Sequence, residues 1–492
     1  MSNYTPTLQP ERRYGIVGGL GAIGGADLLS KMIRAALRTG EMRAADIAFE
    51  QRHFDEGSAA AEPGYDPTHR KFYVYNVLKA MESRGVNVAL IPCFVSHTFL
   101  NEIEPELAIQ VVSLFDALRE RIRCEYPDVR TIGVLTSSHV RSTGLFEREF
   151  SGIADILHPA SPVQSEMLMD AIYGPLGVRA GHHAGQCVEQ LTDVCAHLIA
   201  AGADIIVPGM TEISVLIDVL RPRVPVPLID ANLVYAEHAL QVAPERAPRQ
   251  FKLGVLGGVG PAATVDFMRK IVRLTQAARD QDHIKVVVEQ NPQIPDRTAN
   301  LVGDGDDPTI ALLATCQRLE ADGADAVAIP CNTAHAYVRR IQRHLGIPIV
   351  NMLSEVVAHV RAQMPDVCRL GLLATSGTVA SGVYREVVEP AGMRLLEPDA
   401  ALQAQVMQAI YGARGVKAGH TSGECSDHLA AAIEHLHRRG AQAVILGCTE
   451  LPLIELPSHV RQCVPLLDPT EILASRCVRL AQHGPRPESR RE

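Results

Sequence analysis

Ala328-Ile329-Pro330-Cys331-Asn332-Thr333-Ala334-His335 ends an apolar run that starts at Ala326 and turns polar directly after Pro-Cys. A short unbroken apolar run closed by a turn residue reads as a strand buried on both faces. The polar residues that follow read as a helix opening at about Thr333, so the strand hands a thiol to a helix mouth. Ala443-Val444-Ile445-Leu446 followed by Gly447-Cys448-Thr449-Glu450 repeats the construction, and Val88-Ala89-Leu90-Ile91-Pro92-Cys93 echoes it upstream. Buried strands of this kind belong to parallel sheets covered by helices, which sets the fold class as α/β.

Working outward, the rest of the chain follows suit. Apolar runs at 252–257, 285–289, 326–329, 347–350, 369–374 and 443–446 alternate with amphipathic stretches such as 262–274, 308–322, 400–411 and 427–439. A constant offset of 238 residues relates Cys93 to Cys331, Gly133 to Gly371, Gly209 to Gly447 and Asp230 to Asp468. Over 172–185 against 410–423, nine of fourteen positions are identical. That period is far too long for a solenoid, so a whole domain is duplicated: 1–245 and 246–492, joined through a polar stretch, 242–250, that carries two prolines. The Cys331 and Cys448 stretches resemble each other, so each copy reads as two similar parallel-sheet lobes. Ligands of open parallel sheets bind beyond the carboxyl ends of the strands, and both thiols sit at such ends.

Composition excludes several classes. The 492 residues are 47% hydrophobic with a formal net charge of −9, which gives no electrostatic reason for nucleic acid or an anionic membrane as partner. No apolar run reaches the ~20 residues of a membrane helix. Residues 1–11 lack the basic-then-apolar pattern of a signal segment. Eleven cysteines without tight spacing suit reduced thiols. A cytoplasmic location is expected.

Two glycine loops invite a nucleotide reading. Gly19-Leu20-Gly21 to Gly24 fits G-x-G-x-x-G, and Gly258-Val259-Gly260 to Ala263 fits the variant ending in Ala; Glu50 and Glu289 follow at equal spacing. Pro261 removes an N–H that would face a phosphate, and glycine also serves any close backbone approach. A lone Cys at a strand end is commonly a small buried hydrophobe. Two at matched strand ends suggest chemistry, because a helix N-terminus favours thiolate over thiol. Redox use would call for Cys-x-x-Cys, which is absent. Zinc could take Cys331 and His335 from one turn but needs further ligands. No metal is expected, and His182 and His420 read as structural.

Together these motifs resemble the PLP-independent aspartate/glutamate racemase family: Gly-Gly-x-Gly-Pro at 257–261, Pro295-Asp296-Arg297-Thr298, Pro-Cys-Asn-Thr-Ala-His at 330–335, Gly415-Val416-Lys417-Ala418-Gly419 and Gly-Cys-Thr-Glu at 447–450. The likeness covers 252–480 fully and 14–240 in weaker form. It implies two lobes with a cleft between them and no cofactor. By resemblance, Cys331 and Cys448 form the acid/base pair on opposite faces of an amino acid's α-carbon. Arg297 and Lys417 match basic residues near the substrate carboxylates. Asn332, Thr333 and Thr449 would bond the α-carboxylate, with Gly258 and Gly260 also facing substrate. Val259 and Glu450 stand where cell-wall glutamate racemases carry an acidic residue and a His, so the aspartate branch matches better.

The first copy departs from this set. Met210 replaces Cys448, Phe94-Val95 replace Asn332-Thr333, and Gly57-Ser58-Ala59-Ala60 replace the Pro-Asp-Arg-Thr stretch, while Arg179 stands where Lys417 does. Copy one is expected not to racemise by a two-thiol route and to pair with copy two in place of, or in addition to, a homodimer. The reading is a cofactor-independent racemase acting on a small amino acid, aspartate first. Alternatives are a glutamate or broad-specificity racemase, a nucleotide-dependent oxidoreductase built on the glycine loops, and an amino-acid-binding protein.

Overall fold

The computed structural model describes residues 12–39, 46–54, 64–242 and 250–483. The polar N-terminal stretch, most of the 242–250 join and the Gly57–Ala60 match therefore lie outside the described residues. The chain divides into two compact units, Met1–Arg249 and Gln250–Glu492.

Among the described residues fifteen strands build four sheets, and every pairing is parallel. In the first unit β1 (Arg13–Val17), β2 (Asp46–Glu50), β3 (Val88–Leu90) and β4 (Gln110–Val111) form one sheet in the order β2-β1-β3-β4. Next come β5 (Thr131–Thr136), β6 (Asp155–Leu157) and β7 (Ile205–Gly209), ordered β6-β5-β7. In the second unit β8 (Lys252–Gly257), β9 (Lys285–Gln290), β10 (Ala326–Ala328) and β11 (Ile349–Val350) are ordered β9-β8-β10-β11. The last sheet, β12 (Arg369–Leu373), β13 (Arg394–Leu396), β14 (Ala443–Leu446) and β15 (Leu466–Leu467), is ordered β13-β12-β14-β15. One winding is used four times, so each copy is indeed two similar lobes. The β7 sheet lacks only its outer strand, reduced to a single parallel bridge from Ile206 to Leu228. The sequence reading missed β13 and β15, which are too short to show a pattern.

Side-chain alternation sends each strand's residues to two cores. On one face of β8 and β10, Leu253, Val255, Ala326 and Ala328 meet Phe267 and Ile271 of the helix Pro261–Leu274 and Leu473 and Cys477 of the C-terminal helix. On the other, Leu256 and Val327 meet Leu312, Cys316 and Leu319 of the helix Thr309–Ala321. Gly254 lies under the end of that helix, since a Cβ there would stand 3.2 Å from Leu319 and 3.0 Å from Ala324 just past it. The β12–β14 sheet repeats the scheme, its two faces covered by the helix Met352–Gln363 and by the helices Ala400–Tyr411 and Glu424–Arg438.

The helices that close the two lobes are exchanged. Met352–Gln363 follows the first sheet of the second unit but packs on the second sheet, and the C-terminal helix returns to the first. Each lobe is thus completed by a helix from the far side. Both cysteines lie at the inner strands, where the winding reverses: β8 and β10 in one lobe, β12 and β14 in the other.

Candidate active site

Past Ala328 the chain turns at once. The Cys331 N–H donates to the Ile329 carbonyl at 2.8 Å, a three-residue turn around Pro330. His335 then fixes the loop. Its Nδ1 bonds the Cys331 carbonyl at 2.9 Å, and its Nε2 accepts the Met352 N–H at 3.0 Å, which sets the tautomer with the proton on Nδ1. Burial pushes this imidazole down to about 4, so it is neutral with both nitrogens engaged. That removes His335 as a metal ligand. Among the described residues no cluster of metal-binding side chains occurs.

The expected helix mouths need correction. The helix after Cys331 starts at His335 rather than Thr333 and runs only to Ile341. Cys448 leads into a single 3-10 turn, Leu451–Leu453. Neither thiol sits on the end of a helix long enough to build a dipole, so side chains must set their charges.

A small cavity within the second unit is lined by both thiols. Arg297, Asn332, Thr333, Lys417 and Thr449 border it as well, although they come from four separate stretches of both lobes. Arg297 opens the helix Arg297–Val302, capped by the Asp296 carboxylate accepting from the Ala299 N–H at 2.8 Å. Lys417 lies in a 3-10 turn, Val416–Ala418, closed by Gly419 at φ +93°. Gly258 and Gly260 do not line the cavity, contrary to expectation. A Cβ on Gly258 would lie 2.4 Å from the Asn291 backbone carbon. One on Gly260, at φ +117°, would lie 2.4 Å from Glu450 Oε1. The loop is glycine-rich because the other lobe's Glu450 presses into it, which leaves no room for a pyrophosphate. Glu50 and Glu289, the acids a ribose would need, are ion-paired with arginines instead.

The two thiols have opposite surroundings. Arg297 lies beside Cys331; burial opposes its charge, yet the Cys331 sulfur and Asp296 hold the guanidinium above its usual value. Cys448 Sγ donates to Glu450 Oε2 at 3.1 Å, and burial first, then the Glu450 charge, push this thiol well up. Lys417 Nζ meets Glu450 Oε1 at 2.5 Å, and Thr449 Oγ1 donates to Oε2 at 3.3 Å. Burial works against the Lys417 ammonium, but Glu450 and Cys448 outweigh it and raise its affinity for the proton. One cysteine therefore faces a cation, and the other faces a carboxylate.

Two buried donors in this site have no partner among the described residues: Arg297 Nε and Asn332 Nδ2. The Asn332 amide is oriented from its far side, where Tyr384 donates to Oδ1 at 2.5 Å. Leaving such donors unmade costs about 1–3 kcal/mol each, and an anionic ligand's oxygens would recover it.

Several members of the site escaped the sequence reading. Thr375 and Thr378, with Thr298 and the expected Thr333, form a hydroxyl cluster that ties the lobes together at 2.8–3.3 Å. Tyr411 borders the cavity under Lys417, with Nζ 5.4 Å from the ring centre. Glu450 was noted only as a departure from a relative's pattern, although its place two residues after Cys448 is a signal that it could reach the sulfur. His182 and His420 are exposed and bond locally through their backbones, the carbonyls accepting from Cys187 and Cys425 and the N–H groups donating to Gly177 and Gly415.

In the first unit Cys93 sits on the same three-residue turn, and Met210 holds the Cys448 position. A cation stands beside this thiol too, although residues 57–60 carry none at the Arg297 match. Arg70, from the helix Thr68–Ser83, reaches across and donates from Nη1 to Cys93 Sγ at 2.9 Å. Sequence offset could not find it, because it arrives from a different element than Arg297 does.

The Asp/Glu/hydantoin racemase profile matches residues 17–239 and again 256–477. A broad specificity amino-acid racemase, RacX, of Bacillus subtilis is 27% identical over 234 residues, covering 46% of this chain and 96% of that protein. A glutamate racemase of Deinococcus radiodurans is 27% identical over 180 residues, 36% of this chain and 54% of the relative. Among solved structures, Picrophilus torridus aspartate racemase aligns with a TM-score of 0.42 at 29% identity, over 47% of this chain and 94% of that one.

Proposed function

The chain belongs to the Asp/Glu/hydantoin racemase family, and from that premise we propose that its second unit interconverts the enantiomers of a small acidic amino acid, aspartate foremost, through Cys331 and Cys448. In this reading Cys331, beside Arg297, carries the negative charge at rest, and Cys448, held against Glu450, carries the proton. When substrate binds, the Cα–H bond breaks and an S–H bond forms on Cys331. The Cys448 S–H then breaks and its proton closes the opposite face of the carbanion, inverting the centre. The reverse reaction begins with the roles exchanged.

Removing an α-proton beside a carboxylate is hard, so charge stabilisation has to do most of the work. Arg297 and Lys417 are the cations available for it. Asn332, Thr333 and Thr449 fit the α-carboxylate. The observation that carries the proposal is the pair of buried, unpartnered donors, Arg297 Nε and Asn332 Nδ2, in a cavity lined by two thiols. They suit an anion and would be wasted on a neutral ligand. We take the first unit as lacking this reaction, because Met210 has no proton to exchange.

A broader substrate range is the second reading, favoured by the 96% coverage of a relative described as broad in specificity. The test is incubation of the full chain with L-aspartate in D2O without added cofactor, then with a panel of other amino acids. α-Deuterated D-aspartate is the expected product. Silence with aspartate and turnover with the panel would move the assignment to the second reading, and silence throughout would end both.

A further inference from the structure

Among the described residues β9 is the outer strand of its sheet, paired only with β8, and none of its six residues is fully buried. The Asn291 N–H donates to the Gly257 carbonyl at 3.1 Å, which turns Asn291 toward β8. Backbone direction alternates along a strand, so Glu289, Val287 and Lys285 also face β8. Val286, Val288 and Gln290 then turn their N–H and carbonyl groups outward. Apolar surface lies beside that edge. Val286 packs toward the helix Pro261–Leu274, and Val288, on the same face of the strand, is 39% exposed. On the helix itself Val265 and Val272, two turns apart on one side, are 57% and 55% exposed.

Antiparallel pairing of this strand with its own copy, centred on Val287, uses each of these features. Val286 and Val288 of one chain would exchange their outward hydrogen bonds with Val288 and Val286 of the other. Lys285 falls opposite Glu289 at both ends, at positions where facing side chains come closest. Arg318 of the same chain steadies Glu289 on that face, Nε to Oε1 at 2.9 Å. The first unit supplies a contrast within the same molecule. Pairing β2 in this way about Ala48 would set Asp46 against Glu50, and like charges directly opposite each other are unfavourable. Edge strands are commonly protected from association by such charges, whereas β9 carries a self-complementary pair. We propose that the edge of β9 is an interaction surface for a second copy of this chain. The two strands join antiparallel about Val287 into one continuous sheet, with Val265 and Val272 flanking the join.

Sedimentation velocity of the full chain over a range of concentrations tests this. Wild type should associate to a dimer. Lys285→Glu and Glu289→Lys should each weaken association about tenfold or more, because each sets like charges opposite one another at both ends of the pairing. Combining the two exchanges restores opposite charges and should restore the dimer. Val288→Lys keeps every native charge and should also weaken association, which decides the matter if the charge variants fold poorly. Asp46→Asn on β2 should leave the dimer unchanged. A wild type that stays monomeric, a dimer that Val288→Lys and both charge variants keep, a combined exchange that fails to restore it, or loss in Asp46→Asn would overturn the proposal. Racemisation is measured separately, so failure here leaves the second-unit assignment standing, and the converse holds.

Discussion

At the scale of the residue, Glu450 sets the difference between the two thiols. It accepts from Cys448 and pairs with Lys417, so a single carboxylate keeps one sulfur protonated and one ammonium in place. Replacing it with Gln keeps the shape but removes the charge. We expect Glu450→Gln to lower kcat for one direction more than for the other, by roughly tenfold. Measuring kcat from each enantiomer checks it; equal losses in both directions would mean that Glu450 only packs. The thiols themselves have no substitute. Cys331→Ser and Cys448→Ser should each cut racemisation by about 10³-fold or more, since a serine hydroxyl is too weak an acid and base here. Product assay by chiral chromatography reads this directly, and a variant keeping a tenth of wild-type turnover would contradict the two-thiol scheme.

Elements matter where they cross between lobes. The loop after β8 is shaped by what presses on it, and Gly260 is the point the other lobe presses on: left-handed at φ +117°, with Glu450 Oε1 where a Cβ would go. Gly260→Ala should therefore cost stability, by about 1–2 kcal/mol from backbone strain alone, and also displace Glu450. The expected signature is a lowered unfolding midpoint together with a raised KM. Loss of stability without any kinetic change would separate the loop from the site. The hydroxyl cluster of Thr298, Thr333, Thr375 and Thr378 works at the same scale, since it joins the first lobe's loops to the start of the helix Ser376–Ser381.

For the whole molecule, duplication repeats structural devices as well as the site. His97 in the first unit and His335 in the second each bond the carbonyl of their loop's cysteine, and burial pushes both down to about 4. The unfolded imidazole titrates near 6.5, so between these values the unfolded chain binds more protons than the folded one. Stability is then full above pH 6.5 and falls as pH drops toward 4, by up to about 3 kcal/mol for each histidine. Urea unfolding at pH 7 and pH 5 should show this loss, and His335→Gln should be less stable at pH 7 with a flatter pH response. An unchanged pH slope in that variant would show that the loss arises elsewhere.

Much of this was legible in the chain itself. Unbroken apolar runs such as Ala443–Leu446 can only be buried on both faces, so parallel α/β sheets followed from pattern alone, and the constant offset exposed the duplication. The positions of Cys331 and Cys448 at strand ends were likewise fixed locally. What pattern could not supply was anything decided by contact between distant elements. Arg70 meets Cys93 across 23 residues from a different helix, Glu450 fills the glycine loop 190 residues before it, and Tyr384 orients Asn332 across 52. A strand is specified by its own side chains, whereas the charge on a thiol depends on whichever groups the tertiary fold brings within a few ångströms of it.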